Sequence, residues 1–275
     1  MHAHGFRQRV VAALIPALLL AACGLTNDPD EGPVEVAGFE ATETAEAAAD
    51  PSEDAEREAS ELASEAAPEA DDPPSDERTL VATSTVDAIE VFAAPDTSAE
   101  VSHVLDHPTE RGVPRVFLVD ERRDGWLQVL LPVRPNGSTG WVREADVRLA
   151  WNPYRIAVDL DGFRLTIHRA DELVLETPIG YGAEDTPTPG GRYYITELLQ
   201  PPDPTGVYGP FAFGLSGFSD VHLDFAGGEG VIGIHGTNDP SSIGTTVSNG
   251  CIRVHNDVIS EMATFLPLGT PVTIG

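Results

Sequence analysis

Cys251 stands in the run Ser248-Asn249-Gly250-Cys251-Ile252-Arg253, and with Cys23 it makes up the chain's two cysteines. Two cysteines do not form a disulfide framework, and without a spaced histidine cluster they make a poor structural zinc site. One reading of Cys251 is a buried structural thiol, because free cysteine is among the most buried residue types. The other is a nucleophile. An unpaired thiol in an exported protein is an oxidation liability, and its retention points to chemistry. A catalytic thiol needs a general base within hydrogen-bond reach and donors for the oxyanion. A tight Gly250-Cys251 turn can aim successive backbone N–H groups at one point. An oxyanion hole is commonly built in this way.

Eight histidines are candidates for the base. His2 and His4 belong to a cleavable leader. His103 and His107 stand in loop-like sequence, and His168 lacks a flanking motif. His222, His235 and His255 remain. His235 ends the apolar run Val231-Ile232-Gly233-Ile234 and precedes Gly236-Thr237, so it sits where a strand delivers residues to a site. His255 follows Cys251 by four residues and is expected to face away along an extended run. His222 is a substrate-pocket residue or simply exposed. His235 is the favoured base.

The elements that must hold these residues are mainly β. Tyr154–Leu160, Arg164–Arg169, Glu172–Pro178 and Gly191–Leu198 alternate or run apolar between turns such as Asp161-Gly162 and Pro187-Thr188-Pro189-Gly190. One helix is expected, with Asn256-Asp257 capping Val258–Leu266 before Pro267 and Gly269 end it. Thr270–Ile274 is a last strand. Together, 152–275 reads as a β-sandwich with one short helix. Upstream, 80–149 holds five short apolar runs, at Leu80, Ile89, Val116, Trp126 and Gly140, separated by turn signals. It reads as a small β-barrel domain.

The combination Ile234-His235-Gly236-Thr237, Ile243-Gly244 and Ser248-Asn249-Gly250-Cys251-Ile252-Arg253 resembles the L,D-transpeptidase (YkuD) catalytic domain. The likeness runs from Thr188-Pro189-Gly190 and Tyr208-Gly209-Pro210 to Leu268-Gly269-Thr270-Pro271-Val272, and covers essentially 152–275. It implies Cys251 as nucleophile and His235 as base, with the Gly236 carbonyl orienting the imidazole. The amide of Cys251, with that of Gly250 or Asn249, is the oxyanion hole that the resemblance implies. Ser248 and Arg253 would shape the loop, Arg253 either holding a substrate carboxylate or bracing the loop against Asp257 or the last strand. Tyr208, Thr237 and His222 are the further substrate-side candidates. The family most often has a second histidine where this chain has Asn249, whose amide keeps a hydrogen bond but exchanges no proton at neutral pH. The implied reaction is 3→3 cross-linking of peptidoglycan stem peptides through a cysteine thioester, with acylation by carbapenems and no metal or cofactor. An L,D-carboxypeptidase or endopeptidase, and a non-catalytic wall-binding lipoprotein, are the alternatives. From Asp124-Gly125-Trp126 to Gly140-Trp141-Val142 the chain also resembles bacterial SH3-like domains of secreted wall proteins.

The remainder concerns location. Arg7 and Arg9 precede the apolar run Val10–Leu20 and then Ala21-Ala22-Cys23, so 1–22 reads as a secretory signal, too short to span a bilayer. Leu20-Ala21-Ala22-Cys23 resembles a lipobox, which implies a lipid anchor at Cys23 on a membrane surface facing the cell wall. Residues 28–78 carry 19 acidic and 2 basic side chains, hence net −17 of the chain's −29. With one aromatic residue, 23–79 reads as a disordered acidic linker, extended by its own charge. A pI near 4.3 with no basic stripe argues against nucleic-acid binding. All 16 basic residues are arginine, which excludes Schiff-base and P-loop lysine chemistry.

Overall fold

Leu80-Val81-Ala82 and Val116-Phe117-Leu118-Val119 run apolar rather than alternating because their sheet is covered on both faces. In the computed structural model, which describes residues 78–221 and 230–275, Ala82, Phe117, Leu127 and Val129 point into one core with Ile89, Val91 and Val142. Their neighbours Val81, Val116, Leu118 and Leu130 point the other way, onto Tyr194. The leader 1–22, Cys23 and His222 lie outside the described residues, as does nearly all of the acidic linker.

The first sheet has seven antiparallel strands in the order β3-β2-β6-β5-β4-β1-β7. They are β1 Thr79–Ser84, β2 Ala88–Phe92, β3 Val101–Asp106, β4 Val116–Arg123, β5 Trp126–Leu130, β6 Thr139–Arg143 and β7 Val147–Asn152. Two of these exceed the five expected. β3 is an edge strand with no buried residue, so it lacks an apolar face to betray it. β7 extends the sheet to Asn152, past the 149 limit read from sequence.

The second sheet follows directly, with β8 Tyr154–Asp159, β9 Arg164–Arg169, β10 Glu172–Pro178, β12 Gly191–Leu199, β13 Ala212–Phe218, β14 Val231–His235, β16 Ile252–Arg253 and β17 Pro271–Ile274. Its order is β10-β9-β8-β17-β12-β13-β14-β16, and a separate pair joins β11 Tyr181–Gly182 to β15 Thr246–Ser248. The pairs β8–β17 and β14–β16 are parallel. Alternation at Ile156, Val158, Leu165, Ile167 and Leu175 turns one face of β8–β10 to the core. Helix α1, Asn256–Ala263, seats Ile259 and Met262 in the same core. Its N-cap is His255 and makes no side-chain cap bond. The expected cap, Asn256, lies inside the first turn and uses its side chain elsewhere. The described part is mainly β with one short α-helix, as expected.

The two sheets share an interface. Tyr194 of β12 is fully buried among Val81, Val116, Leu118 and Leu130 of the first sheet, with Leu268. Asn152 Nδ2 donates to Thr270 Oγ1 at 3.0 Å, and Arg192 pairs with Asp120.

Candidate active site

The parallel pair β14–β16 sets the geometry. Ile234 lies opposite Ile252 and His235 opposite Arg253. Ile234 and Ile252 are buried in the core on one face of the pair. With a side-chain period of two, His235, Arg253 and Cys251 therefore share the other face. The same register carries Cys251 level with Gly233, one strand across and two residues before His235.

His235 is oriented from three sides. Its Nδ1 donates to Gly236 O at 2.5 Å, and because a carbonyl only accepts, Nε2 is left as the free lone pair. The Tyr208 ring meets the imidazole edge-on, centroids 5.0 Å apart. Val254 N–H donates to the His235 carbonyl at 3.0 Å. Only 4% of the residue is exposed. Burial holds its pKa down at about 4, with the Arg253 charge acting the same way and the Gly236 bond opposing. His235 is a neutral base at neutral pH.

Behind it, Gly236 and Gly209 pack against the Asn256 side chain so closely that a Cβ on either would collide with Asn256 Oδ1. That oxygen accepts the Thr237 N–H at 2.7 Å. Asn256 thereby ties the helix start, the His235-Gly236 turn and the Tyr208 loop together. Sequence reading made it a helix cap, since asparagine at a helix start suits that role equally. Thr237, expected on the substrate side, is 2% exposed. Its hydroxyl accepts the Asp239 N–H at 3.0 Å, so it holds the turn and offers no surface to a ligand.

The cysteine turn is built from hydroxyls. Ser248 Oγ donates to Cys251 O at 2.6 Å and accepts Gly250 N–H at 3.1 Å. Gly250 has φ +109°, a conformation open to glycine and strained for other residues. Its N–H is committed to Ser248, which removes it from the expected oxyanion donors and leaves Cys251 and Asn249. Thr188 Oγ1 donates to Gly250 O and Thr186 Oγ1 to Ser248 O, each at 2.9 Å. These two threonines clamp the turn from 62 residues away in sequence. Their only signal was the Thr188-Pro189-Gly190 run. Asn249 is exposed.

Cys251 itself is partly exposed. Burial of the sulfur pushes its pKa up, against a backbone hydrogen bond from Gly233 and the Arg253 charge. Tyr208 is also raised, first by burial and then by proximity to Cys251, so it borders both thiol and imidazole. Arg253 is held by reciprocal backbone bonds to Gly180 at 2.7 and 2.9 Å. Its Nε is buried without a partner. Among the described residues it forms no salt bridge, including the alternative one to Asp257. No group of metal-ligating side chains occurs among the described residues.

Residues 153–274 match the family model YkuD, the L,D-transpeptidase catalytic domain. Over 122 residues the chain is 43% identical to the YkuD protein of Bacillus licheniformis and 39% identical to that of Bacillus subtilis strain 168. Each alignment takes in 44% of this chain and 66% of the relative, so the likeness stops short of the relatives' full length. A solved mutant L,D-transpeptidase from Enterococcus faecium is 21% identical over 45% of this chain and 50% of its own, with a TM-score of 0.34.

Proposed function

We propose that this chain is a peptidoglycan L,D-transpeptidase working through a thioester on Cys251. The observation that carries the reading is the β14–β16 register, with Cys251 and His235 on one face and the imidazole fixed by Gly236 O. His235 Nε2 takes the thiol proton as sulfur attacks the carbonyl of the third residue of a tetrapeptide stem. It then passes that proton to the departing amine of the terminal D-alanine. The amine of a neighbouring stem attacks the thioester, His235 takes the amine's proton, and the thiol recovers it as the C–S bond breaks. The product is a 3→3 cross-link. The N–H groups of Cys251 and Asn249 stabilise both oxyanions. Arg253, its buried Nε unpaired beside the thiol, receives a stem-peptide carboxylate, and Tyr208 borders the same thiol.

Outside the described residues, Cys23 carries a lipid anchor, and the acidic linker that follows it, which meets the described part at Arg78 and at Thr79 of β1, spaces the folded part from the membrane, on the side facing the wall. The first sheet, SH3-like in its sequence, contacts wall polymer. His222 completes the substrate side.

The deciding experiment is intact mass of the full chain after incubation with a carbapenem, beside Cys251→Ala. An adduct on the parent alone supports an activated nucleophile, and none on either protein sinks the reading. A tetrapeptide donor with and without an amine acceptor then separates a transferase from a hydrolase. The dimeric cross-link marks the first, the tripeptide the second.

A further inference from the structure

The turn between β5 and β6 reaches out of the first sheet onto the strand end beside the Cys251 turn. Asn136 Nδ2 donates to Phe218 O at 2.8 Å, and Phe218 N–H donates back to Asn136 Oδ1 at 2.9 Å. One side-chain amide thus pairs with both backbone groups of a single residue, as the opposite residue of an antiparallel strand would. Arg134 Nη1 donates to Ser219 O at 2.9 Å, and its guanidinium lies 4.9 Å from the centroid of the Phe218 ring. Phe218 is 5% exposed, whereas Asn136 is half-buried and Arg134 exposed, so the bonds sit at the edge of the buried segment.

The other side of the same segment meets the site. Ser219 N–H donates to Gly230 O at 2.8 Å, closing the end of the β13–β14 pair. The Ser219 hydroxyl lies 3.9 Å from where a Gly250 Cβ would stand, with the Pro187 carbonyl 3.5 Å from that same point. The Pro187 carbonyl, the Ser219 hydroxyl and the Thr186 carbonyl, also 3.9 Å away, are thus the nearest groups on the face of Gly250 where a side chain would stand. Pro187 belongs to the same loop as the Thr186 and Thr188 clamp. The Phe218-Ser219 segment is fixed by two side chains from the other sheet.

We propose that Asn136, with Arg134, is a positioning residue for the Cys251 site. It fixes Phe218 and Ser219, and Ser219 limits how far the Gly250-Cys251 turn can relax. The first sheet is then part of the site and not only an appended wall-contact module. Docking alone does not explain the amide pair. The Tyr194 cluster and the Asn152–Thr270 bond already join the sheets, away from this turn. The inference rests on Cys251 being the nucleophile.

The test uses the full chain with Asn136→Leu, close in shape and unable to make either bond. Asn152→Ala, which cuts the bond to Thr270 across the interface and the Tyr154 N–H bond beside it, controls for general loosening. Hydrogen exchange at 249–251 and the iodoacetamide rate at Cys251 report the turn without any turnover. On a tetrapeptide, kcat and KM are read separately. We expect Asn136→Leu to speed exchange at 249–251 and to change the alkylation rate and kcat by about tenfold, on the scale of two lost hydrogen bonds, with KM within about twofold. Asn152→Ala leaves all of these near the parent. If the two variants match in exchange and alkylation, the proposal is overturned. If Asn136→Leu does not fold, Arg134→Gln, which loses the charged bond to Ser219 O and the contact with the Phe218 ring, is read in the same assays for an effect of about threefold, and no effect there overturns the proposal equally. A parent with no turnover counts against the proposed function, while exchange and alkylation still decide this inference.

Discussion

At the scale of single residues, the proposed pair of Cys251 and His235 rests in its neutral form. Burial raises the thiol and lowers the imidazole, so a pre-formed thiolate–imidazolium pair is disfavoured and the proton moves only on attack. Alkylation of Cys251 by iodoacetamide should therefore keep rising with pH up to about 9 and beyond, as for a thiol no better ionised than free cysteine. A plateau near neutrality would contradict this. The same burial couples His235 to stability. Its folded pKa, about 4, lies below the ordinary 6.5, so the unfolded chain binds more protons between those values. Stability is fully present above about pH 6.5 and falls by up to about 3 kcal/mol as pH drops toward 4. Urea unfolding at several pH values across this window should show the slope, and His235→Gln should flatten it. Asn249 is exposed and hydrogen-bonded to neither member of the pair, so Asn249→His should change Cys251 alkylation by less than about threefold, within the few tenths of a kcal/mol usual for surface changes.

At the scale of elements, legibility followed periodicity. β8 to β10 alternate cleanly and were read within a residue or two, because one face meets the core and the other water. β13 was missed. Ala-Phe-Gly-Leu-Ser-Gly-Phe is buried nearly throughout, so no alternation marks it, and its glycines read as turn. Cys251, His235 and Gly236 could be singled out because motif and spacing are local, and the structure sets Cys251 and His235 on one face of the β14–β16 pair with Gly236 O on the imidazole. Asn256, Thr186, Thr188 and Ser219 could not, since each acts across a fold that the sequence does not display. Of these, Asn256 admits the sharpest test. Asn256→Ala leaves the Thr237 N–H without its acceptor and opens space between Gly209 and Gly236. Leaving a buried donor unmade costs about 1–3 kcal/mol, which urea unfolding should register. Because Gly236 O orients His235, kcat should fall as well. A loss of stability with kcat intact would confine Asn256 to bracing.

At the scale of the molecule, the sequence suggests two separable domains, and the structure gives them a shared core. Tyr194 comes from the second sheet, yet most of its apolar neighbours belong to the first. A Cβ on Gly269 would press on the Val81 side chain, so the backbones meet closely there too. Fully buried aromatic side chains lose about 3–5 kcal/mol on truncation to alanine, comparable to the stability of a small domain. Neither sheet should then unfold alone. The distribution of probes makes this testable, because all three tryptophans, Trp126, Trp141 and Trp151, lie in the first sheet and Cys251 in the turn that leads into β16 of the second. In the full chain carrying Cys23→Ser, tryptophan fluorescence and Cys251 reactivity should lose their native values at the same urea concentration. Tyr194→Ala should shift both midpoints down together, or split them with the first sheet melting earlier. Two well-separated transitions in the parent would mean that the Tyr194 core does not couple the sheets. The Asn136 contact would then have to hold the Cys251 turn without that support.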